Sequence, residues 1–363
     1  MEDARKATKP LKGRGSASRP VGRFEVREAT GEDDGWGSVY EDLADAPPLG
    51  TSVAEEVARS IVTRNTSPDI GFNQSVNGYR GCEHGCAYCF ARPSHSYLGH
   101  SPGLDFETKL YAKTNGPELL RHELSKRSYR CEPIALGINT DSYQPIERRL
   151  RLTRGLLEVL QEFNHPLTIV TKGGLIERDI DLLGPMAAKG LVHVHFSITT
   201  LDNRLASRLE PRATAPAGKL RAMAALGSAG IPVGVMVAPV IPAITDHELE
   251  SILGAARDNG ACGAGYVILR LPHELLGLWT EWLELHFPER TQHVLSMLRQ
   301  LGGGDHYDSR FGIRMRGQGP IADLLQQRFR KAVRSLGFPG MPELNSTLFS
   351  APAPVSAQRD LFG

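Results

Sequence analysis

Cysteine is scarce in this chain. There are five among 363 residues, and three of them, Cys82, Cys86 and Cys89, fall within one short run. A secreted disulfide framework needs more cysteines, usually in even number, so this pattern suits a reducing, cytoplasmic setting and a metal site. Long apolar runs are also missing. The most apolar stretch, 231–244, is interrupted by Pro232, Pro239 and Pro242, too short and too broken to cross a bilayer. No apolar stretch follows the basic start, so no secretory signal is expected. Charge of one sign is absent too. The formal net charge is +1, which excludes a polycation, and nucleic-acid contact would have to come from local basic patches. What is present is 40% hydrophobic composition, enough for one large domain or two smaller ones.

Residues 4–24 contain seven Lys or Arg and no acidic residue, with Gly, Ser and Pro between them. That composition predicts a flexible basic arm, continuing through acidic, Gly-containing sequence, over 1–50. Near the other end, 351–357 is a Pro/Ala linker leading to Gln358-Arg-Asp-Leu-Phe362. The expected organisation is a body over 51–272, a helical extension over 273–340 and a flexible tail over 341–363.

Within the body, short β-branched runs alternate with amphipathic patterns. Strands are expected at 75–80, 134–139, 167–171, 192–198, 233–237 and 266–271. Helices are expected at 118–128, 153–163, 179–188, 218–229, 246–259 and 274–285, with two more at 291–301 and 321–336. Such alternation predicts α/β architecture with a parallel sheet. Six units fall short of a closed eightfold barrel, so a partial, open (β/α)6 barrel is expected. Polar residues gather just after the strands, at Asn139-Thr-Asp141, Thr171-Lys172, Ser197 and Arg270, where βα barrels carry their active sites.

The cysteine run reads Gly81-Cys-Glu-His-Gly-Cys-Ala-Tyr-Cys89. Thiolates select Fe–S clusters or zinc. Three ligands on one loop leave one iron of a [4Fe–4S] cube open to a substrate or cofactor. The competing reading is a structural zinc site with His84 or His95 as fourth ligand. Such sites more often pair two C-x2-C knuckles, and no second knuckle exists here. Cys131 and Cys262 read as small buried side chains.

C-x3-C-x-aromatic-C directly after a first strand resembles the signature of the radical S-adenosylmethionine (SAM) superfamily. Within it the chain is similar to the branch related to spore photoproduct lyase, through Gly81-Cys82, Tyr88-Cys-Phe-Ala-Arg92, Asn139-Thr-Asp-Ser-Tyr-Gln-Pro-Ile-Glu147, Thr171-Lys172, Ala238-Pro-Val-Ile-Pro242 and Thr245-Asp246. The resemblance spans roughly 51–336. It implies a partial TIM-like barrel with a C-terminal helical extension, and a [4Fe–4S] cluster on Cys82, Cys86 and Cys89 that cleaves SAM to a 5′-deoxyadenosyl radical. It also implies an electron donor such as flavodoxin or ferredoxin. By the same resemblance Asn139, Thr140 and Asp141 hold the SAM ammonium group. Lys172 and Ser197 meet its carboxylate or ribose, and Tyr88 and Phe90 pack near its adenine. Arg212 reads equally as a substrate contact or a surface ion-pair partner.

The lyase has a hydrogen-donating cysteine where this chain has Asn139. Cys131 lies eight residues earlier, about 26 Å along an extended strand, at the wrong end of the barrel. The same cleavage chemistry is therefore not implied. DNA is suggested as a partner by the basic arm, by the arginines of the last helices, and by the terminal peptide. There Gln358, Leu361 and Phe362 resemble the Gln-x-x-Leu-Phe motif that docks on the bacterial DNA sliding clamp, with apolar anchors on a reaching linker. The rival expectations are radical SAM modification of RNA, a peptide or a small molecule, and a non-enzymatic metal-bearing DNA-binding protein.

Overall fold

A computed structural model describes residues 9–24 and 50–352. Its strands, in chain order, are β1 Ser52–Glu55, β2 Val62–Arg64, β3 Gln74–Val76, β4 Tyr79–Arg80, β5 Lys109–Ala112, β6 Ile134–Leu136, β7 Leu167–Thr171, β8 Val192–Ile198, β9 Val233–Val240 and β10 Gly263–Ile268. The large sheet runs β10-β9-β8-β7-β6-β3-β2. From β3 through β10 its neighbours are parallel, and β2 is antiparallel to β3. A small sheet, β1-β5-β4, stands beside it.

Helices Gly116–Leu124, Leu152–Glu162, Ile180–Ala188, Pro216–Ser228 and Leu249–Asp258 make the crossovers between successive parallel strands. Each lays one apolar stripe on the sheet at helical spacing: Leu156, Leu157 and Leu160; Ala222, Met223 and Leu226; Ile252, Leu253 and Ala256. Burying each large aliphatic side chain contributes about 1.5–3 kcal/mol. Strand β8 alternates: Val192, Val194, Phe196 and Ile198 on one face are fully buried, while His193, His195 and Ser197 occupy the other.

The edge strands β10 and β2 are not neighbours in the sheet, so the barrel is partial, as expected. The segment between the last two helices spans the gap. The Ile268 N–H on β10 donates to the Met315 carbonyl at 3.0 Å. Three residues earlier, the Gly312 N–H donates to Asp69 Oδ1 at 2.6 Å, and Arg314 bonds both Asp69 and Ser67, in the loop between β2 and β3.

Several expectations shift. The first predicted strand splits: 74–76 joins the large sheet, while Tyr79–Arg80 turns away to pair with β5. The second ends at Leu136 because Gly137 adopts φ +78°, where a side-chain carbon would stand 2.2 Å from the Val170 carbonyl oxygen. Helix Gly319–Ser335 is not an appendage, for Ala322, Leu325 and Ala332 belong to the main core.

Composition also misled at both ends. Within the arm expected to be flexible, residues 9–24 lie on the body. Gly15 and Ser16 N–H groups donate to the two Glu107 carboxylate oxygens at 3.1 and 3.0 Å. Arg19 pairs with Asp105, and Arg23 with Glu274. Within the expected tail, the Asn345 N–H donates to the Gly190 carbonyl, and Phe349 packs against Tyr129 and Phe163. Gln358, Leu361 and Phe362 lie outside the described residues.

Candidate active site

The cysteine loop leaves β4 and is held from every side by its backbone. The Cys82 N–H donates to the Phe106 carbonyl at 2.9 Å, and the Ala87 N–H to the Leu209 carbonyl at 2.9 Å. Gln144, fully buried, accepts from the Glu83 N–H at 2.8 Å and donates to the Gly81 carbonyl. Arg92, also fully buried, donates to the Cys86 and Gly85 carbonyls and to Glu107. Gly85 has φ +63°, and a side-chain carbon there would meet Glu107 at 2.4 Å. The tight turn at Gly85 thus packs directly on the Arg92–Glu107 pair.

With the backbone pinned outward, the three thiols are left free. Cys82 and Cys86 are buried, Cys89 is half-buried, and none is in a disulfide. Burial first, then Asp141 and the neighbouring cysteines, pushes the Cys82 thiol well up. Burial and then Glu210 do the same to Cys86, and burial raises Cys89. Burial holds these thiols in the neutral form, and as thiolates they would need a neutralising cation beside them, which iron would supply.

The residues therefore fit a cluster. Among the described residues no group of three or more His, Cys, Asp or Glu is arranged to hold one metal ion. A cube makes a different demand, because each cysteine takes its own iron. Among the described residues neither histidine considered as a zinc ligand joins the cysteines in a metal-holding group, though each keeps a buried Nδ1 without a hydrogen-bond partner. His84 Nδ1 lies 3.3 Å from Asp141, and His95 Nε2 lies 2.9 Å from the Lys109 carbonyl oxygen.

Beside the loop, at the strand ends, stand the other predicted residues. Lys172, just after β7, donates to Ser197 Oγ on β8 at 2.6 Å and to the Ala238 carbonyl at 3.2 Å. The structure brings these two together. Tyr88 joins them, with Lys172 Nζ 5.5 Å from its ring centre. Asp141 is committed to the protein instead. Its carboxylate accepts from the Tyr143 and Lys172 N–H groups and from the Thr171 hydroxyl, with His84 at its second oxygen. Burial opposes its ionisation, but His84 and these donors outweigh burial and hold its carboxyl below the usual range. Thr140 is likewise occupied, donating to the Tyr79 carbonyl. Asn139 is exposed, its N–H bonded to Asn77. Phe90 faces outward, 41% exposed, under the Arg270 guanidinium. Arg212 pairs with Glu83 of the cysteine loop at 3.0 Å.

Sequence reasoning missed Glu210, the hub of this region. Its buried carboxylate takes Lys219 at 2.5 Å, Lys172 at 3.3 Å, the Thr199 hydroxyl at 2.7 Å and the Tyr88 hydroxyl. Burial penalises its charge, yet the two lysines overcome that and hold it far below the ordinary carboxylate range. Lys172 is in turn held above its ordinary value. Burial lowers it, and Glu210 and Cys86 more than restore it. One signal was readable: Lys219 shares a helical face with Ala222, Met223 and Leu226, all buried.

The family model of the radical SAM superfamily matches residues 76–256. A Mycobacterium tuberculosis protein described as uncharacterized is 40% identical over 233 residues, which is 64% of this chain and 68% of that protein. A Methanocaldococcus jannaschii protein described in the same words is 27% identical over 187 residues, 52% of this chain and 67% of its own length. Among solved structures, a spore photoproduct lyase variant superposes with TM-score 0.56 at 15% identity, covering 88% of this chain and 87% of that one. Another, with bound AdoMet and dinucleoside spore photoproduct, gives 0.54 at 16% identity, covering 88% and 87%. The chain belongs to the radical SAM superfamily, and its fold is that of spore photoproduct lyase.

Proposed function

We propose that this chain is a radical SAM enzyme acting on damaged or modified DNA, with a [4Fe–4S] cluster on Cys82, Cys86 and Cys89. The observation that carries the reading is the cysteine loop. Its backbone is fixed from outside by Gln144 and Arg92, and its buried thiols sit beside a cationic, hydroxyl-rich strand end. When bound, the cluster supplies the electron for reductive cleavage of SAM.

The chain's own residues do the rest. Lys172, kept cationic by Glu210, and the Ser197 hydroxyl offer a charged hydrogen-bonding pair to the SAM carboxylate. Tyr88 forms the adjoining wall. Asp141 acts as a positioning residue, tying the end of β7 to the segment after β6 and to His84 of the loop. The DNA assignment is supported by likeness to structures that hold a dinucleoside photoproduct. In the tail, Gln358, Leu361 and Phe362 are proposed to dock on the sliding clamp.

The test is anaerobic reconstitution with iron and sulfide, then dithionite and SAM. About four irons per chain and release of 5′-deoxyadenosine are expected, both lost in Cys82→Ala. Bound zinc with intact SAM would overturn the reading. For the tail, the double variant Leu361→Ala, Phe362→Ala is expected to lose clamp binding that the parent shows. A parent that does not bind removes that assignment.

A further inference from the structure

Four large aromatic side chains are exposed among the described residues: Phe24, Phe90, Tyr97 and Phe311. Each lies under an arginine. Arg23 covers Phe24 and Tyr97 at 5.4 and 5.9 Å, Arg270 covers Phe90 at 4.8 Å, and Arg314 covers Phe311 at 4.7 Å. Chance exposure of aromatics does not require a cation over every ring.

Three of these contacts involve residues next to the cysteine loop or just past β10, and the fourth, Arg314 over Phe311, lies beside Asp69 in the loop before β3. Phe90 follows the last cysteine directly, and Tyr97 lies in the turn of helix Arg92–Leu98 just beyond it. Arg270 is two residues past β10. Glu274, four residues further, holds Arg23 at 2.7 Å. Three of the arginine–aromatic contacts thus border the cysteine loop and the β10 end.

Arg270 differs from the others. Arg23 is paired with Glu274 and Arg314 with Asp69. Arg270 has no carboxylate within ion-pair distance among the described residues, and its buried Nε has no hydrogen-bond partner. A buried N–H left unpaired is unfavourable by about 1–3 kcal/mol. An incoming anion would remove that penalty.

We infer that Arg270 and Phe90 hold one nucleotide of a nucleic-acid strand, the guanidinium taking a phosphate oxygen and the ring stacking on an unpaired base. The Arg23–Phe24–Tyr97 group continues the same track outward. Alternating cation and π-face matches the alternating phosphate and base of an unstacked strand, which binds by such stacking. The inference rests on the DNA reading and specifies it: the strand is engaged with bases unpaired beside the cysteine loop.

SAM also carries a base and an anion, so the experiment measures both ligands. Cluster-loaded full-length protein is titrated anaerobically into a fluorescein-labelled single-stranded oligonucleotide, read by anisotropy, and separately with SAM by equilibrium dialysis. Arg270→Gln and Phe90→Ala are expected to weaken the oligonucleotide about 5- to 150-fold, the range of one stacked base. Arg270→Gln should also flatten the salt dependence by about 0.7 in log–log slope, the loss of one phosphate contact. Phe90→Trp should bind as the parent does, and iron content confirms that each variant is loaded and folded. Unchanged oligonucleotide affinity in both loss variants, with the parent binding, overturns this inference and leaves the DNA reading intact. Weakened SAM with unchanged oligonucleotide overturns it by assigning the pair to SAM. A parent that binds no oligonucleotide sinks the DNA reading itself.

Discussion

At the scale of the residue, the region around Glu210 is a balance of two buried cations on one buried anion. Removing the anion leaves Lys219 without its carboxylate and Lys172 with only the weaker influence of Asp141, whereas removing Lys219 leaves Glu210 still facing Lys172. Glu210→Ala is therefore expected to cost about 3–5 kcal/mol, the usual result of orphaning a buried charge. Lys219→Met, which keeps the stem volume, should cost clearly less. Urea midpoints of the two variants test this, and equal losses would contradict it. This balance also shows where the sequence stops being readable. Cys82, Cys86 and Cys89 could be singled out because they fall inside one short run. Glu210 could not, because its partners come from the cysteine loop, from β7 and β8, and from helix Pro216–Ser228. Asp141 was singled out for the SAM ammonium group, but its protein partners were not legible, since its donors include residues 30 positions away.

At the scale of the element, the unexpected finding is the seating of residues 9–24. A side-chain carbon on Gly15 would stand 1.6 Å from the Gly85 carbonyl oxygen, so glycine is required for the segment to lie against the turn between Cys82 and Cys86. Gly15→Ala should lift the segment. Limited proteolysis is expected to cut within 9–24 in the variant faster than in the parent, with the body intact. Equal cutting rates would mean that the segment does not depend on this contact. Periodicity located the helices to within a few residues because each buries one stripe on the sheet. It had no purchase on this segment, which is held by main-chain donors on Glu107 and by Arg14, Arg19 and Arg23, not by an apolar stripe. Basic composition identified the charges and gave no sign that acidic partners await them.

At the scale of the whole molecule, the buried imidazoles of His95 and His165 and the half-buried one of His195 set a limit on acid stability. Burial above all lowers His95, His165 and His195 to about 4 each. Their folded values lie below the ordinary value near 6.5. Their neutral burial therefore contributes stability that is full above that value and is lost as pH falls from there toward 4. Denaturant midpoints should stay level from pH 8 to 7 and fall steadily between 6.5 and 4.5. His165→Gln should lessen that slope, and a level profile through this window would refute the account. The parallel strands were legible as apolar runs in sequence, while the antiparallel edge strand β2 and the small sheet were not. Nor was the closure of the large sheet's open side, because no pattern links a loop near residue 69 to one near 314.

That closure bears on how the chain is made. The bond between Asp69 and Arg314 joins residues 245 positions apart, and loops of that span close late because chain entropy opposes them. As the polypeptide emerges from the ribosome, every parallel strand has been synthesised before the segment that seals the gap. Until Arg314 arrives, the edges of β2 and β10 stay unsealed and the interior stays accessible from that side. Synthesis order thus leaves an interval in which the strands are complete while the side between β2 and β10 is still without its wall.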